Sequence, residues 1–422
     1  MKDHLLVGID LGSSAIRVAV GQISVGQDRH ETLQIIGAVE SPSQGISKGS
    51  INSLEDVISS ISASLEAVER QVGLPVSEAY VSVGGTYLVV QPAKGVVGVS
   101  RTDGEINEGD VQRVLDSARS VVNPANYEIL HILPRKFTID GQGGIKDPLG
   151  MQGIRLEVDA HIIQGFSSHV RNLTKAVFRT GVEVRELVFA PLASVEAVTN
   201  SKQRDVGVAV VNIGATTTTL AVFEEGDFLH AAIFPIGADH ITSDIAIGLR
   251  TSLDIAEHIK RTLASANADS MSRFEEIDLR ELGADHEEVV SQRFVSDIAQ
   301  ARAEEIFEKV EKELKKIERS GMLPAGVVLT GGGVKLQGMA DTARQVLRLP
   351  VTIGIASSVQ TPLSEAAQDP AYSTAIGLVL WGYGNERAEV EGKHGGNFGG
   401  KGGQWMKKVS DPLKKIFKSF IP

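Results

Sequence analysis

The sequence predicts an α/β fold built from two related halves, with a separate insert inside the first. Three observations carry that expectation. VGIDLGSSAIRVAV (7–20) and VVNIGATTTTLAVF (210–223) overlay as apolar strand, glycine turn and apolar strand: Asp10 meets Asn212, Gly12 meets Gly214, and Ser13-Ser14 meets Ala215-Thr216. Strand-like and helix-like spacings of apolar residues alternate over 422 residues, a length too great for one core. Residues 84–165 interrupt the first half with strands and a helix of their own.

Along the chain, the runs 4–10 and 16–23 flank Gly12-Ser13-Ser14 and read as a hairpin. A Walker or Rossmann loop runs from strand into helix, and neither GxxxxGK[ST] nor GxGxxG occurs here. Leu54, Val57, Ile58, Ile61, Leu65 and Val68 recur at helical spacing over 54–72, a segment closed by Gly73 and Pro75. Residues 79–83 form a short strand. In the insert, 108–122 is helix-like, and 128–139 and 154–163 are strand-like around the loop GQGGIKDPLG. A helix at 169–180 and the segment 183–199 return to the first half. The second hairpin follows, then a strand at 228–235 and helical runs at 238–249, 253–264 and 289–319. The stretch 267–288 is polar and expected to be exposed. Residues 327–330 read as a buried strand leading into Gly331-Gly332-Gly333, and 370–383 as the last core segment. Residues 385–403 are poor in apolar side chains and rich in glycine, the composition of a flexible tether.

Composition bounds the function. The chain is 42% hydrophobic and 23% charged, with ten histidines and no cysteine, which excludes disulfides, thiolate catalysis and cysteine zinc sites. No run approaches the ~18 apolar residues of a membrane span, and no signal peptide is visible, so a soluble intracellular protein is expected. The net charge of −11 argues against nucleic acid as a partner. The tail opposes this trend: residues 404–422 hold five lysines against one aspartate.

Two glycine hairpins on two half-repeats make chemical sense when they face each other across a cleft. Each offers backbone N–H groups and short hydroxyls, Ser13 and Ser14 on one side, Thr216 and Thr217 on the other, and glycine lets the backbone approach a bulky anion. Asp10, at the edge of the first turn, is the candidate for holding Mg²⁺, through water because Mg²⁺ gives up water reluctantly. One DLGSS taken alone is an ordinary hairpin turn; the second copy in the same strand context is what points to phosphate.

With those residues in view, the chain resembles the actin/Hsp70/sugar-kinase ATPases. The two hairpins are similar to that superfamily's phosphate motifs, and VVLTGGGVKLQGM (327–339) to its adenosine motif, with Gly331, Gly332 and Gly333 against the nucleotide. AEHIKRTL (256–263) resembles the helix whose glutamate and lysine touch adenosine in Hsp70-type proteins, here Glu257 and Lys260; read alone it is a solvated charge pair one helical turn apart. Within the superfamily, 41–57, 132–163, 237–249, 370–382 and the tail resemble the FtsA family of bacterial actin-like cell-division proteins, in that family's order.

The resemblance implies an actin-like (ribonuclease H-like) duplicated fold with subdomain 1A at 1–83, 166–204 and 366–384, 1C at 84–165, 2A at 205–236 and 300–365, and 2B at 237–299. It also implies ATP and Mg²⁺ as ligands, self-assembly into filaments, a place at the division site on the cytoplasmic face of the membrane alongside other divisome proteins, and 2B as receiver of the C-terminal peptide of the tubulin-like FtsZ.

The second turn departs from the family's acidic, glycine-rich DIGGGT. Asn212 brings no negative charge to a metal and cannot act as a base, and Ala215 narrows the approach that glycine would allow. In FAPLASVEAV (189–198), Ala190-Pro191 stands where the Hsp70-type ATPase has Glu-Pro, and Glu196 is a poor substitute for that glutamate. The expectation is a protein that binds ATP and hydrolyses it slowly or not at all, with at most weak ATPase activity.

The tail GGQWMKKVSDPLKKIFKSFIP gathers Trp405, Met406, Val409, Leu413, Ile416, Phe417, Phe420 and Ile421 on one helical arc and Lys407, Lys408, Lys414, Lys415 and Lys418 on the rest. Ser410-Asp411-Pro412 reads as a cap with proline at the first helical position. The pattern fits a reversible membrane-surface anchor after the glycine tether, against the plainer reading of a terminal helix docked on protein. Competing readings of the whole chain are a PilM-like scaffold of a pilus or secretion system, which the basic tail disfavours, and a small-molecule kinase, which needs a catalytic carboxylate in the cleft that none of these motifs supplies. An Hsp70-like chaperone would need a large peptide-binding domain where only a tether and a short helix follow.

Overall fold

In the computed structural model, residues 4–25, 31–121, 125–272, 274–284, 289–357, 359, 361 and 363–393 are described. β1 (His4–Leu11), β2 (Ala15–Val25) and β3 (Glu31–Pro42) form an antiparallel meander. A two-residue-per-arm hairpin, β4 (Ile46–Ser47) and β5 (Ser50–Ile51), turns through Lys48 and Gly49, both left-handed at φ 51 and 76°. α1 (Leu54–Val72) buries Val57, Ile61, Leu65 and Val68, the stripe its spacing predicted, and ends where Gly73 takes the left-handed cap at φ 72°. β6 (Glu78–Val83) then joins β1 in parallel.

The insert is a layer by itself. β7 (Leu88–Gly98), α2 (Glu108–Val121), β8 (Tyr127–Ile139), β9 (Gln142–Ile145) and β10 (Arg155–Phe166) make a sheet of order β7-β10-β8-β9 with its own core, in which α2 packs on β7 and β10 through Val111, Val114, Leu115 and Ala118. The chain returns through α3 (Ser167–Phe178), β11 (Glu183–Phe189), which completes the first sheet beside β6, and α4 (Ala190–Val198).

The second half repeats the first. After α5 (Ser201–Val206) come β12 (Val208–Ile213), β13 (Thr218–Glu224) and β14 (Asp227–Phe234), again a meander. Then follow α6 (Ala238–Gly248), α7 (Leu253–Thr262), a two-stranded sheet of β15 (Glu276–Asp278) and β16 (Val289–Ser291), and α8 (Gln292–Lys316). β17 (Val327–Thr330), α9 (Met339–Leu347), β18 (Val351–Ile353), α10 (Ser364–Gln368) and α11 (Ser373–Lys393) close the chain. The sheets run β11-β6-β1-β2-β3 and β18-β17-β12-β13-β14. In both, the glycine hairpin pairs antiparallel with the third meander strand on one side and on the other in parallel with one strand, which in turn pairs in parallel with the edge strand.

Three stretches differ from the sequence reading. The polar stretch 267–288 buries Ile277 and Leu279 in a small core with α6, α7 and α8, because a few well-spaced apolar side chains suffice to anchor an otherwise polar segment. Residues 289–291 are a strand, not the start of the helix. The last helix runs on through 385–393, where a tether was expected: Asn385 donates to Glu186 Oε2 (3.0 Å) and Glu386 pairs with Arg185 (2.8 Å), and the charged run has good helix propensity. The tail residues 404–422 lie outside the described residues.

α11 packs on β1 and α4 at very close range, since a side chain at Gly377 would meet the Ala193 carbonyl at 1.8 Å. Its far end is held by a buried cluster. Trp381 Nε1 and Asn385 Nδ2 both donate to Glu186 Oε2 at 3.0 Å, and the Trp381 ring stands edge-on to His131. His131 Nε2 accepts from the Phe189 N–H (3.0 Å), which needs the neutral ring, and burial lowers its pKa to about 4. Burial raises Glu186 to about 7 against those two hydrogen bonds. Unfolded, the carboxyl titrates near its ordinary value, so stability falls as pH rises from there to about 7. Glu186→Gln should therefore flatten the pH dependence of urea unfolding and stabilise the protein at pH 8 relative to pH 5 by roughly 2–3 kcal/mol; parallel pH profiles for the two proteins would contradict this.

Candidate functional site

Both hairpin turns end on the same side of their sheets, and the lobes bring them into contact. Thr216 Oγ1 bonds Ser13 Oγ at 2.8 Å, and the Lys48 N–H at the tip of the β4–β5 hairpin donates to Thr216 Oγ1 at 3.1 Å. Among the described residues nothing accepts from the N–H groups of Ser13 and Ser14 or of Ala215 and Thr216, so four backbone donors remain available there. Gly12 is required by the turn itself, since a side chain would meet the Ala15 carbonyl at 2.5 Å. In the second turn Gly214 N–H donates to Thr217 O (2.9 Å), and the first turn of α6 covers the outer side: Ala238 and Asp239 N–H donate to the carbonyls of Gly214 and Ala215, both at 2.9 Å.

Asp10 lies at the end of β1, opposite Arg17 in register. The Ser82 hydroxyl donates to Asp10 Oδ1 (2.8 Å) and accepts from the Leu11 N–H (3.0 Å), which fixes the carboxylate beside the turn. Burial pushes the Asp10 carboxyl above its usual range, against the Ser82 bond and the Arg17 charge. Among the described residues no group of three acidic or histidine side chains is placed to hold a metal. Asp10 is the carboxylate at this turn that could hold a metal, with no protein-only cage around it among the described residues.

The adenosine-motif glycines do different work. Gly331, at φ 90°, leaves room for Asn212, whose Oδ1 would lie 2.2 Å from an added side chain; Gly333 packs on Ile213 in the same way. Only Gly332 has open space, its nearest atom being Arg17 Nη2 at 4.0 Å. Arg17 reaches across from the first lobe, held by Glu40 at 2.8 Å and lying over the Tyr372 ring.

Two expected contacts point elsewhere. Asn212 turns its amide nitrogen into the protein, donating to Ser194 Oγ (3.0 Å) and Thr374 Oγ1 (3.1 Å). Lys260 is buried and donates to Thr242 Oγ1 (2.7 Å) and the Ala238 carbonyl (3.2 Å), besides pairing with Glu257. Burial would raise Glu257, but its bonds from Lys260 and Thr242 hold it below the usual carboxylate range. Lys260 is thus buried while Glu257 stays partly exposed, and the pair fastens α7 to the turn of α6 that covers Gly214. Glu196 is engaged with Arg204 at 3.0 Å.

Sequence reasoning missed Lys48, Arg17 and Ser82. The SKGS tip carried a signal, a two-residue turn with glycine second. Arg17 and Ser82 carried none, because their partners come from distant parts of the chain.

Comparison with known proteins places this geometry. Residues 209–377 match the family model described as "Cell division protein FtsA", and residues 85–164 match "SHS2 domain inserted in FTSA". Cell division protein FtsA of Bacillus subtilis is 35% identical, covering 92% of this chain and 85% of the relative; that of Pseudomonas aeruginosa is 34% identical (90% and 89%), and that of Escherichia coli K12 31% (98% of each). Among solved structures, the PilM-PilN type IV pilus biogenesis complex superposes with a TM-score of 0.65 at 17% identity, over 89% of this chain and 98% of that one. MreB5 of Spiroplasma citri bound to ADP does so at 0.53 and 12%, over 93% and 99%. The fold is actin-like.

The two packing glycines and the open one separate experimentally. Gly331→Ala combines a forbidden φ with a clash against Asn212 and should cost more than about 2 kcal/mol in urea unfolding. Gly332→Ala should stay within roughly 1 kcal/mol of the parent. Equal losses would contradict the assignment of Gly332 as the one facing the cleft.

Proposed function

The chain belongs to the FtsA family of cell-division proteins, and from that premise we propose that it binds ATP between the two glycine turns, assembles into actin-like filaments and anchors FtsZ polymers to the cytoplasmic membrane. The observation that carries the nucleotide reading is the meeting of two equivalent turns at the Ser13–Thr216 hydroxyl pair, with four backbone donors and the Lys48 hairpin at the same place. That is the donor set a polyphosphate needs. In this reading Gly332 and Arg17 border the nucleoside side and Asp10 is the residue that would hold Mg²⁺. Bound there, the ion would neutralise charge on the phosphates. The turns' N–H groups and hydroxyls orient the phosphate chain, and closure of the turns excludes water from it.

Hydrolysis needs a group that positions water. Asn212 is committed to Ser194 and Thr374, Ala190 has no polar side chain, and Glu196 is paired with Arg204. The protein therefore acts as a nucleotide-dependent scaffold with turnover on the order of 10⁻³ s⁻¹ or below. A second reading, a pilus-assembly scaffold, has the fold in its favour and the sequence against it, at 17% identity compared with 31–35% for the FtsA relatives.

FtsZ recognition is assigned to the lobe formed by α6, α7, β15, β16 and the start of α8. Large apolar side chains stand exposed there, Phe274 at 94% and Ile247 at 76%, with Leu253, Val289 and Phe294, as a surface for a short amphipathic peptide requires. Membrane attachment is assigned to residues 404–422. Partial burial of eight apolar side chains and about 1 kcal/mol per lysine on anionic lipid give a gross attraction above ~10 kcal/mol. Ordering the segment offsets most of it at about 1–1.5 kcal/mol per residue. A single anchor is then weak, and a filament holds by avidity.

Two measurements test this. Calorimetry should detect ATP binding that weakens when Mg²⁺ is removed, with phosphate release near background; no binding, or turnover above about 1 s⁻¹, would refute the nucleotide reading. Trp405→Glu combined with Phe417→Glu should abolish co-sedimentation with anionic liposomes, and undiminished co-sedimentation would refute the anchor.

A further inference from the structure

The amide at position 212 has an explanation inside the protein. Asn212 lies near the end of β12 in the second lobe, whereas Ser194 belongs to α4, which packs on strands of both sheets, and Thr374 to α11, which packs on α4 and on β1, β2 and β6 of the first sheet. Both hydroxyls are buried, Ser194 at 0% and Thr374 at 3% exposure. With the Ser194 hydrogen donated to the Ala190 carbonyl (3.1 Å), the 3.0 Å contact between the two hydroxyls has Thr374 as its donor. Ser194 Oγ then has one lone pair open and Thr374 Oγ1 two, and the two N–H groups of a single amide reach both oxygens. A carboxylate of the same shape brings an acceptor to two acceptors, and fits only when Ser194 abandons Ala190 or Thr374 abandons Ser194. Across the amide, Oδ1 lies against Gly331, where any side chain would come within 2.2 Å. The Gly331 N–H and the Thr330 hydroxyl in turn donate to the Pro370 carbonyl, both at 3.0 Å, just before α11.

We propose that Asn212 pins the two lobes together, its amide crossing from the end of β12 to the buried Ser194 and Thr374 hydroxyls, so that opening the cleft breaks a three-residue network next to Gly331. The residue positions the second turn and does not contact the nucleotide. This accounts for asparagine at a place where the half-repeat has Asp10: the first copy hydrogen-bonds through Ser82, a donor, and the second faces two oxygens that need donors. The pin lies beside the adenosine-motif glycine, so it links nucleotide contact at Gly332 to the angle between the lobes.

The test uses the full chain without nucleotide, so its outcome is separate from whether ATP binds. The chain has no cysteine, so Glu66→Cys on α1 and Glu308→Cys on α8, both exposed, give one spin-label pair across the cleft. The parent should show one narrow distance distribution. Asn212→Asp should broaden or lengthen it and lower Tm by about 3–8 °C. Ser194→Ala should shift both in the same direction, and by less when Asn212→Ala is already present, because the two changes remove one network. Should Asn212→Asp fail to fold, the Ser194→Ala distances and the coupling with Thr374→Val decide the question. Unchanged distances and Tm in Asn212→Asp, or additive effects of Ser194→Ala and Asn212→Ala, would overturn the pin.

Discussion

Two hydroxyls 2.8 Å apart, Ser13 Oγ and Thr216 Oγ1, are the point on which the molecule turns. Neither turn alone is more than a tight hairpin. A site arises only because the two sheets share one topology and the lobes are held so that equivalent turns meet. Each glycine hairpin has a parallel neighbour, β6 beside β1 and β17 beside β12, that carries the chain away from the turn on the far side. This leaves the turn's backbone uncovered toward the other lobe. Connections between parallel strands must pass over a sheet face, so turns of this kind at the strand ends are where such folds have room for ligands.

Around that point the structure is built in supporting layers. The first turn of α6 takes up the outward carbonyls of Gly214 and Ala215, and Lys260 fastens α6 from behind through the Ala238 carbonyl. Ser82 orients Asp10, and Glu40 orients Arg17. The insert adds a second bridge between the lobes. Its His161 ring stands edge-on to Phe228, and Lys136 and Lys146 reach Glu225 and Asp227 at the tight β13–β14 turn, at 3.0 and 3.8 Å. These last pairs are partly exposed and contribute little each; the network at Asn212, whose two hydroxyls are buried, is the stiffer joint.

The duplication was legible because the glycine turn and its flanking apolar runs repeat within short windows, and short windows are what hydrophobic periodicity reports. For the same reason α1 could be read to its last residue: its stripe and its glycine cap are local. What was not legible depends on residues far apart in the chain. Asn212 reads as a weakened metal ligand until Ser194 and Thr374 are seen beside it. Glu257 and Lys260 read as a surface pair until α6 is seen to bury Lys260. Ile277 and Leu279 look like isolated apolar residues in a polar loop, and only the helices above them make them a core. The extension of α11 through 385–393 rests on Glu186 and Arg185, again some two hundred positions away in sequence, so composition alone suggested a tether.

The central claim is that two equivalent turns from twin lobes share one triphosphate, with the lobes fixed behind it. A crystal structure with ATP and Mg²⁺ tests this most directly. The account predicts phosphates between residues 12–14 and 214–217, with the Ser13 and Thr216 hydroxyls parted to bond them and Asn212 still joined to Ser194 and Thr374. Nucleotide bound away from these turns, or a cleft in which the two hydroxyls remain bonded at saturating ATP, would contradict it.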